Sequence, residues 1–166
     1  MNKLILLAFL TLSLISCGSK KTVSSTASVK KSSSYKSAAP KVSRIIDYAL
    51  DFQGTKYKYG GTTRKGMDCS GLIYTSFLSE NVALPRVSRD MAKHGVMLRA
   101  NQINVGDLLF FQTNKNRDVI NHVGLVVEIG ANHVSFIHST TSRGVIVSKL
   151  SERYWNDAFI MAKRVL

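Results

Sequence analysis

The sequence predicts an α+β fold, with helices first and an antiparallel sheet after them. Two observations carry this. Apolar residues at 42, 45, 46, 49 and 50 recur at helical spacing. From residue 108 onward the apolar runs are short and rich in Val, Ile, Phe and Leu. Gly, Asn, Asp or Ser separates most of them, the punctuation of strands and turns. A length of 166 residues suits a single core with an appendage.

Residues 1–16 read as a secretion signal. Lys3 supplies the positive start, and the apolar stretch 4–15 is shorter than a bilayer-spanning helix. It ends Leu14-Ile15-Ser16-Cys17, which resembles a bacterial lipobox. Cys17 is therefore expected to carry the lipid, palmitate included, and to become the first residue of the mature chain. The other reading is an ordinary cleaved signal with an incidental cysteine. Residues 17–41 are Ser, Lys, Thr and Ala with little that is large and apolar, the composition of a disordered tether. Its lysines lie against anionic headgroups or wall, or serve only as a soluble spacer.

The body is expected over 42–166. A helix is expected over 42–52, ended by Gly54. A short extended piece, Tyr57-Lys58-Tyr59-Gly60-Gly61, follows. A second helix is expected over 69–78, with Leu72, Ile73, Phe77 and Leu78 on one side. Ser88 reads as the N-cap of a short helix over 89–94, closed by Gly95. Strands are expected over 108–112, 122–129, 134–139, 145–149 and 159–165.

The chain carries 23 Lys and Arg against 10 Asp and Glu. Seven of the basic residues lie at or before Lys41, where there is no acid, so the body carries only +6. No RNA-binding or zinc-finger pattern accompanies it. A mildly basic surface suits an anionic polymer or carboxylate-rich substrate, not sequence-specific nucleic-acid reading.

The stretch Gly66-Met67-Asp68-Cys69-Ser70-Gly71-Leu72 places a lone cysteine at a helix start. The positive end of the helix dipole lowers a thiol's pKa there. The free N–H groups of the first turn can receive an oxyanion. The competing reading is a small buried hydrophobe. A nucleophilic thiol needs a base, and the base an orienting partner. His94 reads as a surface or capping residue. His122, His133 and His138 fall on one expected hairpin. A three-residue turn over 129–131 makes His122 face His138 and sends His133 to the other side. A five-residue turn keeps that parity, and a two-residue turn separates His122 from His138.

Six blocks appear in order: Tyr57-Lys58-Tyr59-Gly60-Gly61, Gly66–Leu72, Leu84-Pro85-Arg86-Val87-Ser88, Gly106-Asp107-Leu108-Leu109-Phe110-Phe111, His122-Val123-Gly124-Leu125, and Phe136-Ile137-His138-Ser139 with Gly144-Val145. In this order they resemble the NlpC/p-sixty family of bacterial cell-wall cysteine peptidases, over about 45–165. Tyr154-Trp155, the lipobox and the tether resemble its small lipoprotein murein endopeptidases. The resemblance implies a papain-like fold, a helical subdomain packed on an antiparallel sheet. It implies Cys69 as nucleophile, His122 as base, His138 as the orienting third member and Tyr57 at the oxyanion. Asp68, Ser70, Arg86 and Ser88 match residues that shape the substrate slot. The stretch from His122 to His138 is longer than the family's, so His133 remains a second candidate for the third position.

The implied reaction is hydrolysis of an amide in the peptidoglycan stem peptide, or of the D-Ala–diaminopimelate cross-link, through a thioester. The alternatives are the γ-D-glutamyl–diaminopimelate bond, a silent wall-binding lipoprotein, an acyltransferase or amidase, and a zinc site of Cys69, His122 and His138. No metal or organic cofactor is expected. The expected state is a monomer, exported and lipid-anchored. Gly18 in place of a retention aspartate points to the outer membrane, facing the periplasm. A regulatory adaptor protein is a further expected partner.

Overall fold

The structure, a computed structural model, describes residues 38–116 and 118–166. The signal 1–16, the lipidation site Cys17 and the tether up to residue 37 lie outside the described residues.

Helix α1 spans Pro40–Leu50 and buries Ile45, Ile46 and Ala49. It starts two residues before the expected position because Pro40 occupies the first turn. There its missing N–H costs nothing and its φ is already helical. A two-rung ribbon follows, β1 (Thr62–Thr63) with β2 (Gly66–Met67), then α2 over Cys69–Leu78. Helix α3 spans only Ser88–Met91. Ser88 is its first residue and not its cap: extended Val87 holds the cap position and no side chain caps the helix.

Strand β3 (Val96–Leu98), a 3-10 turn (Ala100–Gln102), β4 (Leu108–Phe111), β5 (His122–Gly130), β6 (His133–Thr140), β7 (Gly144–Lys149), helix α4 (Arg153–Ala158) and β8 (Phe159–Arg164) complete the order. The sheet runs β3-β8-β4-β5-β6-β7, antiparallel throughout. The five expected strands are present. β3 and α4 add to them.

Strand alternation divides the core in two. Leu108, Phe110, Val123, Leu125 and Ile137 pack against Ile45, Ile46, Leu72, Ile73 and Phe77 of α1 and α2. The alternate residues Leu109, Phe111, Val126 and Phe136 pack against Trp155 and Ala158 of α4.

The β5–β6 hairpin departs from the expected three-residue turn. Gly130 pairs His133, so the turn is the two residues Ala131-Asn132. By parity alone this would put His122 and His138 on opposite faces. A bulge between Val126 and Glu128 inserts one residue and shifts the register, so that Val126 pairs Phe136 and Leu125 pairs Ile137. The extra residue restores the shared face. Continued along β5, that register offsets His122 and His138 by two positions, a diagonal pair where a directly opposed one was expected.

Candidate active site

Cys69 opens α2, with Asp68 as the N-cap. Asp68 Oδ1 accepts from Gly71 N–H at 2.6 Å and Oδ2 from Gly60 N–H at 2.8 Å. Arg86 closes on both oxygens, Nη1 to Oδ1 at 3.0 Å and Nη2 to Oδ2 at 2.9 Å, and also donates to Ser70 Oγ at 2.9 Å. Asp68, Ser70 and Arg86 thus form one closed cluster that fixes the start of the helix. A Cβ at position 71 would stand 2.1 Å from the Gly61 carbonyl oxygen, so the helix start and the Gly60-Gly61 loop touch backbone to backbone. Ser139 of β6 donates to the Met67 carbonyl at 2.7 Å, pinning the segment before Cys69 to the sheet.

His122 begins β5, and its Nε2 lies 2.9 Å from His138 Nδ1. His138 Nε2 lies 3.0 Å from Ser148 Oγ on β7. Trp155 of α4 stacks on His122 at 5.1 Å between centroids and meets His138 edge-on at 4.5 Å. Phe136 lies 4.6 Å from the His138 ring. A Cβ on residue 124 would fall 2.4 Å from the Phe136 ring, so glycine in His122-Val123-Gly124 leaves room for that ring. His133 stands elsewhere, at the hairpin end, 3.6 Å from Glu128.

Both imidazoles are buried against the Trp155 indole, and burial disfavours their charged forms. His122 is pushed down to about 4 by burial. His138 is pushed down to about 2, by burial first, then by the charges of His122 and Arg143. The helix-start argument expects a lowered thiol pKa at Cys69, and the structure gives the opposite. Burial pushes it up, outweighing the lowering effect of backbone hydrogen bonds from Val123, Ser70 and Cys69 itself. Burial therefore favours the neutral thiol beside the neutral imidazole. Tyr57 is also raised, by burial first and then by Cys69 and Asp68, which keeps its hydroxyl a donor.

Two grooves meet at Cys69, and Tyr57 and Asn121 line both. One runs past His122, Thr140, Arg143, Glu152 and Tyr154. The other runs past Tyr59, Asp68, Arg86, Ser88 and Arg89. The sequence-derived residues Cys69, His122, His138 and Tyr57 thus come together, and Asp68, Ser70, Arg86 and Ser88 form one wall. The sequence reading did not single out Asn121, the β6–β7 turn with Arg143, or Ser148. It noticed Trp155 only through resemblance. Among the described residues no group of three or more His, Cys, Asp or Glu is arranged to hold a metal. His122 Nε2 and His138 Nδ1 are occupied by each other, which counts against the zinc alternative.

The model of the NlpC/P60 family matches residues 54–164. The murein DD-endopeptidase MepS/murein LD-carboxypeptidase of Escherichia coli K12 is 37% identical over 125 residues, which are 75% of this chain and 63% of that protein. The probable endopeptidase NlpC of the same organism is 34% identical over 75% of this chain and 78% of its own length. A crystal structure of an NlpC/P60 family protein from Bacillus cereus superposes with a TM-score of 0.67 at 28% identity. It covers 75% of this chain and 40% of that one.

Proposed function

The chain belongs to the NlpC/P60 family, and on that premise we propose that it is a cysteine peptidase of peptidoglycan that cuts the D-Ala–diaminopimelate cross-link. The observation that carries the reading is that Cys69, at a helix start where two grooves meet, lines one groove together with His122, whose Nε2 lies 2.9 Å from His138 Nδ1. His122 Nε2 faces His138, so Nδ1 is the nitrogen left for the thiol.

The neutral pair sets the order of events. Sγ attacks the amide carbon as its proton passes to His122 Nδ1. The oxyanion is met by the Cys69 backbone N–H and the Tyr57 hydroxyl. The imidazolium, held through Nε2 by His138, gives its proton to the leaving nitrogen as the C–N bond breaks. Water then attacks the thioester, losing a proton to His122, and the thiol is restored.

Charge supports an internal cut over one that needs a free amine. The groove beside Arg86 contains one carboxylate, Asp68, and Arg86 already neutralises it. With Arg89 the groove is net cationic and suits the carboxylates of a stem peptide. A relative named for murein DD-endopeptidase activity supports the same bond. Lipid attachment at Cys17 and a periplasm-facing outer-membrane site belong to this proposal. Incorporation of labelled palmitate, lost in Cys17→Ala, tests the attachment.

Digestion of intact sacculi by the full chain and by Cys69→Ser, with muropeptides weighed by mass spectrometry, tests the reaction. Conversion of cross-linked dimers to intact monomers, only with Cys69 present, is the expected result. Stems ending after glutamate would move the cut to the γ-D-glutamyl bond. Unchanged sacculi with both proteins would reject the hydrolase reading in favour of a silent wall-binding protein.

A further inference from the structure

His122 can take the thiol proton on Nδ1 only if its neutral ring carries hydrogen on Nε2. That N–H points at His138 Nδ1, 2.9 Å away, which must then be a lone pair. His138 must therefore carry its own hydrogen on Nε2, in a ring enclosed by Phe136 and Trp155 and fully buried. The opposite arrangement is self-consistent and inert. With hydrogen on His138 Nδ1, His122 accepts at Nε2, carries its hydrogen on Nδ1 and presents a donor to the thiol. The two arrangements differ in what His138 Nε2 loses when it has no partner: the active one leaves a buried N–H without an acceptor, the inert one only a lone pair that can go undonated.

Ser148 Oγ is placed to supply that acceptor. It lies 3.0 Å from His138 Nε2 and is itself buried. It reaches the ring diagonally, since Ser148 pairs Phe136 while His138 pairs Ile146. Among the described residues, His122 and Ser148 are the hydrogen-bond partners shown for the His138 ring. A hydroxyl can donate to a bare Nε2 or accept from Nε2–H, so its presence satisfies either arrangement; we propose that Ser148 is a positioning residue, whose hydroxyl supplies the acceptor without which His138 cannot keep its hydrogen on Nε2 and the imidazoles cannot hold the tautomers the thiol needs. This rests on the Cys69–His122–His138 reading. A buried N–H without an acceptor is costly, so loss of the hydroxyl transfers population to the inert pair.

The test uses the full chain with Ser148→Ala and Ser148→Thr. Nitrogen-15 NMR of histidine-labelled protein reads the tautomers directly. The wild type is expected to carry hydrogen on His138 Nε2, Ser148→Ala to move it to Nδ1, and Ser148→Thr to return it. On cross-linked muropeptide, Ser148→Ala should lose at least about tenfold in kcat with KM within about twofold, and Ser148→Thr should recover most of the loss. A hydrogen that stays on Nε2 in Ser148→Ala with kcat unchanged would overturn the assignment. So would equal losses in both variants with identical tautomers, which would mark a packing role. The NMR measurement needs no substrate. If the tautomer moves but wild-type protein leaves every amide intact, the positioning stands and the hydrolase reading fails.

Discussion

Opposed influences meet at Cys69. Three backbone hydrogen bonds favour the thiolate, while burial and the neighbouring Asp68 favour the thiol. Burial is the largest influence, and the partner that could offset it, a charged His122, is itself disfavoured down to about 4. The free protein at pH 7 is therefore expected to hold a thiol. Thiolate absorbance near 240 nm, compared with Cys69→Ser, should be absent at pH 6–7 and rise only at or above the ordinary cysteine range, about 8.5. A plateau of thiolate absorbance already present at pH 5 would show a resting ion pair and reverse this order of events. Cys69 and His122 were legible in the sequence because each sits in a local motif with a helix start or strand around it. Asp68 was legible as important but not in role. Only the fold shows its carboxylate already closed by Arg86 and two backbone N–H groups. Ser148 carries no such local signal, since a serine on a strand acquires meaning only from the ring beside it.

Helix α4 is six residues long and would be marginal alone, yet it delivers Trp155 onto both histidines. Its indole is 5% exposed and also packs on Phe111 and Phe136. Trp155→Ala should cost about 3–5 kcal/mol in urea unfolding. Water reaching the rings should also raise His122 from about 4 toward 6.5 in an NMR titration. A destabilised variant with an unmoved His122 would mean that Trp155 packs the core without setting the base. The long strands were legible from apolar content, but this helix was not, because six residues give no periodicity to read. The hairpin was legible in parity and not in detail. Two departures, a shorter turn and a bulge, cancel, and an extra residue between Val126 and Glu128 leaves no sequence mark in a run of apolar residues.

The molecule as a whole places its larger core between the sheet and helices α1 and α2, and its histidine pair in the smaller core under α4. This makes stability depend on pH in a defined window. In the unfolded chain both histidines titrate near 6.5, while in the fold they are held down to about 4 and about 2. As pH falls below 6.5 the unfolded chain takes up protons that the native state refuses. The free energy of unfolding, little affected by this pair above about pH 7, therefore declines as pH drops toward 4 and, through His138, beyond. Between pH 6.5 and 5 each histidine contributes a loss of roughly 1.5 kcal/mol, so the pair gives roughly 3. Urea unfolding at pH 7 and pH 5 should show this decline, and His138→Gln should retain about half of it. Equal stability at the two pH values would mean that the imidazoles are hydrated in solution. The dry, aromatic setting from which the neutral thiol–imidazole chemistry follows would then be lost with it.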